Sequence, residues 1–433
     1  MGQAPEFRIY TLALLFALRV ALVAEELPEL SLQQAHDIAL RNHPRITVAD
    51  LRALAAQQVS REARSGFYPN LSANMVAVGT ANDNTRLAAV GALNNPSIFE
   101  RNAEGLVLSQ LITDFGRTAN LTGSAKLHAR AEEDNARATR EQILLEVDGV
   151  YFSALQARAV ARVADQTVTT RQLFLNQVSA LASNKLRSEL DVSFAQVNLE
   201  EGRLLLSKAQ NDLASAFAQL AALLGQREQK SYRLIEEPLP PVLSTNVSEF
   251  VQQALKFRPD LLRLRNERDA AQDFAKAERA AHYPTVAAVG SAGVVPIHDP
   301  QLPDHYAAAG VTLTLPLFAG GLYSARQKEA ELRAQAAEEV LRDLENDAVK
   351  DVHVAWLNAQ NASERVRISG QLLENAKRSF DLAQARYNAG TSSMVELNQA
   401  QLSEISAEIA FATTRYEYLL QRSALNFQSG ALH

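Results

Sequence analysis

The chain has 433 residues, of which 47% are hydrophobic, 21% charged and 6% aromatic, and its net charge is −6 at pH 7. This composition excludes a disordered or low-complexity chain, and the acidic balance argues against a general nucleic-acid-binding protein. Because the sequence contains no cysteine, disulfide bonds, thiolate metal sites and cysteine nucleophiles are excluded as well.

The first predicted element is a secretory signal peptide at residues 1–24. Ile9–Ala24 form an apolar run that follows Arg8 and ends in small residues, and we expect cleavage after Ala24. Because Arg19 interrupts the run, an ordinary buried or anchoring helix is the alternative. No later stretch of about 18 apolar residues follows, so the sequence predicts no membrane-spanning helix beyond this point.

The rest of the sequence is an internal duplication. Its matching pairs are ALRNHPRI (39–46) with ALKFRPDL (254–261), the segments that begin FYP (67–79) and HYP (282–293), and ITDFGR (112–117) with LFAGGL (317–322). The repeat is too long for a short solenoid unit. We therefore predict two similar halves at residues 25–235 and 248–433, joined by a proline-rich crossover at 236–247.

Each half has the same predicted order of elements. A helical segment, Ser31–Ser65 or Ser248–Ala281, precedes two short strands and then one very long helix. The four strands are predicted at about residues 68–80, 102–114, 284–293 and 307–317. In VTLTLPL (311–317), valine and leucine alternate with threonine and proline, which is typical of a strand with one apolar face. Exposed loops at about 80–101 and 294–306 connect the strands of each pair.

The long helices carry a repeated apolar seam. Neither 117–184 nor 322–388 contains proline, so each helix can reach a length on the order of 100 Å. From Ala348 to Tyr387, and again from Ile143 to Ala182, apolar and small side chains recur in alternating steps of four and three. This period predicts left-handed, coiled-coil-like packing with close helix approach. Hairpins of this kind need neighbouring helices, from the other half and from other subunits.

A turn interrupts each long helical pattern. Gly390 occupies the position where a left-handed residue ends a helix, and Ser393–Glu396 has the spacing of a capping box that begins the next one. In the first half, Lys185 takes the glycine position and Ser188–Asp191 is the equivalent box. The sequence therefore predicts helix–turn–helix tips at 183–190 and 388–395.

Together these features resemble the TolC-type outer membrane efflux proteins, over essentially the whole mature chain. The resemblance rests on the duplication, the paired YP segments, the DFGR and FAGG strand-to-helix turns, and RYNAGTSSMVELNQAQ at 386–401. It implies a mainly α-helical fold with a β-barrel part, made of duplicated long helical hairpins and four strands per chain. A homotrimer would form a 12-stranded outer-membrane β-barrel that continues as a periplasmic α-barrel.

The same resemblance implies the function. The chain would be a passive conduit for efflux or type I secretion, located in the Gram-negative outer membrane, in contact with its lipid, and extending into the periplasm. A periplasmic adaptor (a membrane fusion protein) and an inner-membrane pump would open it at the helix tips. The alternative is a periplasmic coiled-coil adaptor or scaffold without a pore, but two duplicated hairpins with strand pairs favour the conduit.

The resemblance also assigns residues at the tips. The family closes its channel with a tyrosine and an aspartate, which correspond to Tyr387 and Asp191, and with an arginine whose position is Ser392 here. An acidic residue that lines the narrowest point in the family corresponds to Gln399. The full candidate gate comprises Asp191, Tyr387, Glu189, Arg187, Ser392 and Glu396. The candidate adaptor-contact turns are Lys185, Leu186, Gly390 and Thr391.

Simpler roles compete with each of these assignments. Asp191 and Glu396 can be capping carboxylates, Tyr387 can be a core residue of the seam, and Glu189 can be a solvated charge. Arg187 or Lys185 is the candidate basic partner at the tip.

Chemistry at other sites has little support in the sequence. The pattern HDPQLPDH, which contains His298 and His305, could suggest a metal site, but a solvated loop is the favoured interpretation. GTSS lacks the lysine and the spacing of a phosphate-binding loop. No nucleophile–base or paired-carboxylate pattern is recognisable, so the sequence predicts no catalytic residue, no metal and no cofactor.

Overall fold

A computed structural model describes residues 28–78, 101–227, 232–241, 243, 246–297 and 303–432. The predicted signal peptide, nearly all of the first loop and His298 lie outside these residues. In chain order, the elements are β1 (Glu29–Leu30), α1 (Leu32–Asn42), α2 (Pro44–Ser65), β2 (Asn70–Val78), β3 (Arg101–Thr113), α3 (Arg117–Ser183), α4 (Glu189–Leu223), β4 (Arg233–Leu234), α5 (Ser248–Phe257), α6 (Pro259–Ala280), β5 (Thr285–Ile297), β6 (His305–Thr314), α7 (Leu322–Asn388) and α8 (Met394–Gln428).

Each helical segment at the start of a repeat consists of two helices, where the sequence predicted one. The break falls at His43 in the first repeat and at Arg258 in the second, with ψ of 121° and 123°. Both residues precede a proline, whose ring disfavours the helical region for the residue before it. Pro44 and Pro259 then begin the next helices, a position that tolerates the missing N–H.

The helices α3 and α7 are the longest elements, with 67 residues each. Their predicted seam is buried along much of its length, and its fully buried positions are Ile143, Val147, Ala154, Ala164, Val178, Ala348, Val352 and Ala359. Alanine at so many of these positions allows helix backbones to approach closely. Arg171 occupies a place in the same row and is also buried.

The four long strands form one antiparallel sheet in the order β2–β3–β5–β6. β6 ends at Thr314, three residues before the predicted end, because Pro316 has no N–H to donate to a neighbouring strand. β5 continues to Ile297, so residues 294–297 extend a strand where the sequence predicted a loop. The edge strands β2 and β6 each lack a partner on one side within the described residues.

The two faces of this sheet differ in character. Residues paired across neighbouring strands point to the same side, so the register assigns each residue to a face. One face carries exposed apolar side chains, namely Leu71, Met75, Leu106, Leu108, Val311 and Leu313. The other carries small and polar ones, including Asn70, Ser72, Asn74, Ser109, Ser291 and Thr312.

The chain forms two compact units that cut across the two sequence repeats. The first comprises the described parts of Met1–Pro44, Arg140–Ser248 and Val352–His433, and the second comprises those of Arg45–Thr139 and Glu249–Asp351. The sheet belongs to the second unit and both helix tips belong to the first. None of the helices in the described ranges has the length and apolar character needed to span a membrane.

A two-residue parallel ladder in the first unit was not predicted. It joins β1 to β4, and the hydroxyl of Tyr151 in α3 lies 2.8 Å from the carbonyl oxygens of both Leu30 and Ile235. His36 and Asp148 form another buried pair in this unit, with 2.5 Å between Nε2 and Oδ1. These contacts fix α1 and the short β1–β4 ladder onto the same face of α3.

Candidate functional site: the two helix tips

The first tip turns at Lys185, which has a φ of +60° and lies in the left-handed region. Its amide donates to the carbonyl of Ala182 at 2.9 Å. The next amide, that of Leu186, donates to the carbonyl of Leu181 at 2.9 Å. These two bonds satisfy carbonyls that would otherwise be unpaired at the end of α3, as in a Schellman motif.

The second tip repeats this geometry at Gly390, whose φ is +73°. The amide of Gly390 donates to the carbonyl of Tyr387 at 3.0 Å, and the amide of Thr391 donates to that of Arg386 at 3.0 Å. The Thr391 hydroxyl donates to the same Arg386 carbonyl at 3.1 Å. A Cβ atom on Gly390 would meet nothing within 4 Å, so glycine is favoured here by backbone conformation alone.

Asp191 acts as a capping residue at the start of α4. Its amide donates to the hydroxyl oxygen of Ser188 at 3.2 Å. In return its carboxylate accepts from the Ser188 amide at 3.2 Å and from the Ser188 hydroxyl at 2.9 Å. The capping box is therefore complete. The Asp191 carboxylate that the resemblance assigns to the gate is thus already hydrogen-bonded to Ser188. Glu189, one residue into the helix, is exposed.

Glu396 begins α8 differently from its counterpart. Its amide donates to the hydroxyl oxygen of Ser393 at 3.2 Å, which is half of the predicted box. Its carboxylate instead accepts from Arg386 at 2.8 Å and from the hydroxyl of Ser392 at 2.7 Å. Arg386 was not among the predicted site residues, although it stands directly before Tyr387 in the sequence.

Tyr387 lies in an apolar core to which both tips contribute. Its side chain is 3% exposed and belongs to a cluster made of Leu175, Ala195, Leu199, Ala383, Met394, Leu397 and Ala400. Phe174 of α3 packs against it, with 5.8 Å between ring centroids. This burial supports the core role for Tyr387 and joins the two hairpins at their ends.

Arg187 lies over the ring of Tyr387. The guanidinium carbon is 4.3 Å from the ring centroid, and Nη2 donates to the Tyr387 carbonyl at 3.2 Å. A cation over an aromatic face is stabilising by about 0.5–2 kcal/mol, depending on its exposure to solvent. Of the two basic residues proposed from the sequence, Arg187 is therefore the one that the structure places against Tyr387.

The hydroxyl of Tyr387 is buried and has no hydrogen-bond partner in the part of the chain that the structure describes. Burial raises the pKa of this hydroxyl, the charge of Arg187 lowers it, and the charge of Asp191 raises it. The phenol therefore stays neutral at physiological pH. An unpaired buried hydroxyl costs about 1–3 kcal/mol.

A polar layer that the sequence did not predict lies beside this core. The side-chain amide of Asn198 in α4 donates to that of Asn398 in α8 at 2.6 Å. Arg171 donates to the carbonyl of Asn198 and pairs with Glu201 at 3.6 Å. Burial lowers the pKa of Arg171, and Glu201 opposes that effect. The only sequence signal was an arginine within the apolar seam.

The surface of the tips is apolar at several points. Leu186 is 69% exposed, and Leu190 and Val395 are each 63% exposed. A shallow cleft of ≈ 650 Å³ between α7 and α8 is lined in part by Arg386, Glu396 and Gln399. No group of three or more potential metal-ligating side chains occurs among the described residues. His305 is exposed and pairs with Asp304 at 2.9 Å.

Comparison with known proteins identifies the family. The family model for outer membrane efflux proteins matches residues 35–226 and 250–431. The chain is 27% identical over 391 residues to the outer membrane protein OprJ of Pseudomonas aeruginosa, covering 88% of this chain and 80% of that protein. It is 22% identical over 427 residues to the outer membrane protein TolC of Escherichia coli, covering 93% and 83%.

A solved structure shows the same fold. A membrane protein from Pseudomonas aeruginosa superposes with a TM-score of 0.81 at 24% identity, covering 93% of this chain and 91% of that one. The family predicted from the motifs is thus confirmed, and the adaptor alternative is not supported. The chain belongs to the outer membrane efflux protein family, a family of outer membrane transport channels of Gram-negative bacteria and not a catalytic one.

Proposed function

We propose that the chain forms a homotrimeric conduit whose periplasmic entrance is closed by the two helix tips described above. The observation that carries this proposal is the shared core at Tyr387, where side chains of both hairpins pack together under the guanidinium of Arg187. Cargo would pass through a water-filled lumen, and this chain would perform no chemistry and hold no cofactor.

The sheet supports the trimeric part of the proposal. Four strands are too few to close a barrel, and unpaired edges do not persist in a bilayer, so β2 and β6 require partners from other copies. Three copies would give 12 strands, with the apolar face toward lipid and the polar face toward the lumen. Strands of nine to 13 residues match the thickness of a membrane.

The gate would be held within each protomer. Ser392 stands at the position that the resemblance assigns to an arginine, and its hydroxyl donates to Glu396 of its own tip. Arg187 instead supplies the cation, through its contact with the Tyr387 ring. Asp191, Glu189 and Glu396 would then shape the charge of the entrance, while capping keeps Asp191 in place.

Partners would act on the exposed parts of the tips. The turns at Lys185, Leu186, Gly390 and Thr391 would meet a periplasmic adaptor, and apolar side chains such as Leu186 suit such a contact. An inner-membrane pump would supply the driving force. The proposal places the conduit in contact with outer-membrane lipid and involves no nucleic acid.

Conductance of purified trimers in planar lipid bilayers tests the gate. Replacing Arg187→Ala or Tyr387→Ala removes one half of the contact, and we expect a higher single-channel conductance from each variant. Tyr387→Phe is the matched control, because it keeps the ring and removes only a hydroxyl that has no described partner. Conductance that stays at the wild-type value in both alanine variants would show that these residues do not close the channel.

A further inference from the structure

One row of residues crosses the sheet from edge to edge. Asn74 of β2 pairs with Gly105 of β3, Gly105 pairs with Gly293 of β5, and Gly293 pairs with Tyr306 of β6. All four therefore face the same side of the sheet, the one that carries small and polar residues. The two central strands present no side chain at this level.

Tyr306 fills the space that the two glycines leave. A Cβ atom on Gly105 would overlap the Tyr306 hydroxyl, and it would lie 2.9 Å from the Ala292 carbonyl oxygen and 3.0 Å from Tyr306 Cζ. A Cβ atom on Gly293 would overlap the carbonyl oxygen of Glu104 and lie 2.7 Å from both the Gly105 Cα and the same Cζ, so the backbone of β3 excludes a side chain there as well as the ring does. The ring therefore lies flat across the adjacent strand β5, and its hydroxyl reaches β3, the strand beyond it. Tyr306 as a whole residue is 38% exposed, as expected for a ring with one covered face and one open face.

Tyr306 is also the single aromatic residue in the four strands β2, β3, β5 and β6. Elsewhere in its row and in the neighbouring rows, this face carries short side chains such as Ala308 and Ser291. A tyrosine side chain that projected straight out from such a face would extend further from the sheet than its neighbours do. Because positions 105 and 293 are both glycine, the ring can pack parallel to the sheet surface.

We propose that Gly105 and Gly293 form a slot, a gap between side chains, that holds the Tyr306 ring against the wall of the barrel lumen. These three residues would thereby set the bore of the conduit, which is the width of the lumen at this level. This inference rests on the proposed function, in which the polar face lines the lumen. Three symmetry-related rings would lie at one level of the barrel. A ring that left its slot could move only toward the lumen, because the strands close the other side.

The first test concerns the slot alone and needs no pore. We expect Gly105→Ala to lower the thermal unfolding midpoint of the purified protein by about 2–4 °C or more, because the ring and the strand must both shift. Combining it with Tyr306→Ala should recover the part of that loss that the ring causes, while the contact with the Ala292 carbonyl remains. Gly310→Ala is the matched control, since it lies on the same face and its Cβ atom would meet nothing within 4 Å. If the changes in unfolding midpoint caused by Gly105→Ala and Tyr306→Ala are additive, the ring does not pack against Gly105 and the slot is refuted.

The second test measures the bore. Single-channel conductance is recorded with the tips open, in a Tyr387→Ala background, and with the wild-type tips. We expect Gly105→Ala to lower conductance and the added Tyr306→Ala to restore it, while Gly310→Ala has no effect. A loss that persists without the ring, or no loss at all, would overturn the role of Tyr306. If the wild-type chain forms no pore, both the proposed function and the role of Tyr306 in lumen width are overturned. The thermal-unfolding comparison of the single and double variants would still decide whether the glycines hold the ring.

Discussion

Replacing Lys185 by glycine should make the first helix tip harder to open. Lys185 has a φ of +60°, and a residue with a Cβ atom pays about 1–2 kcal/mol in that region. Glycine removes this cost, but its greater conformational freedom stabilises the opened turn by about 0.4–1 kcal/mol. The net effect is about 0.5–1 kcal/mol in favour of the glycine variant. Because 1.4 kcal/mol corresponds to a factor of ten, the open population should fall about two- to five-fold.

Hydrogen exchange followed by mass spectrometry measures this opening at one amide. The Leu186 amide is bonded to the Leu181 carbonyl at 2.9 Å, so its exchange reports the opening of the turn. The exchange rate of the Leu186 amide should fall by the same two- to five-fold in Lys185→Gly.

Gly390→Ala is the opposite change at the equivalent position, because it introduces the strain that Lys185→Gly removes. The Thr391 amide, bonded to the Arg386 carbonyl at 3.0 Å, should exchange faster in that variant. Exchange of both amides at wild-type rates would show that backbone strain does not set the stability of the tips.

Three further predictions concern the first compact unit. Burial raises the pKa of Tyr151 to about 12 from 10.0, so its neutral hydroxyl stabilises the fold fully below pH 10, and the stability advantage over Tyr151→Phe should shrink as pH rises toward 12. Asp148→Ala should cost about 2–3 kcal/mol through loss of the buried bond to His36, and Asp148→Asn should cost less because it keeps an acceptor oxygen. Arg171→Met should destabilise the protein less than Arg171→Ala, because methionine keeps the packing of the buried stem. The fluorescence of the single tryptophan during thermal unfolding follows all three.

The long helices and their turns were predictable because their signals are local. Sixty-seven residues without proline, a seam of period 3.5 and a capping serine all act within a few residues of one another. The breaks at His43 and Arg258 also had a local signal, a following proline, but the apolar pattern on both sides masked it. β6 ends early, at Thr314, for a reason visible in the sequence, namely the following Pro316.

The contacts that assemble the site were not predictable in the same way. Arg187 and Tyr387 lie 200 residues apart, and nothing in the pattern around Arg187 separates it from an ordinary surface arginine. The partners of Glu396 depend on how the turn directs Arg386 and Ser392, which capping rules do not describe. The ladder of β1 and β4 has two residues per strand, too few for any alternation to show.

That short ladder has a consequence for how freely its sequence can change. Its bonds join backbone atoms, and the Tyr151 hydroxyl also meets backbone carbonyls, so the side chains at positions 29 and 233 contribute little. The exposed ion pair between Glu29 and Arg233 adds at most about 1 kcal/mol. Substitution at these two positions should therefore be tolerated for almost every residue except proline, and over evolutionary time both positions would lose any recognisable sequence while the buried Leu30 and Leu234 stay apolar.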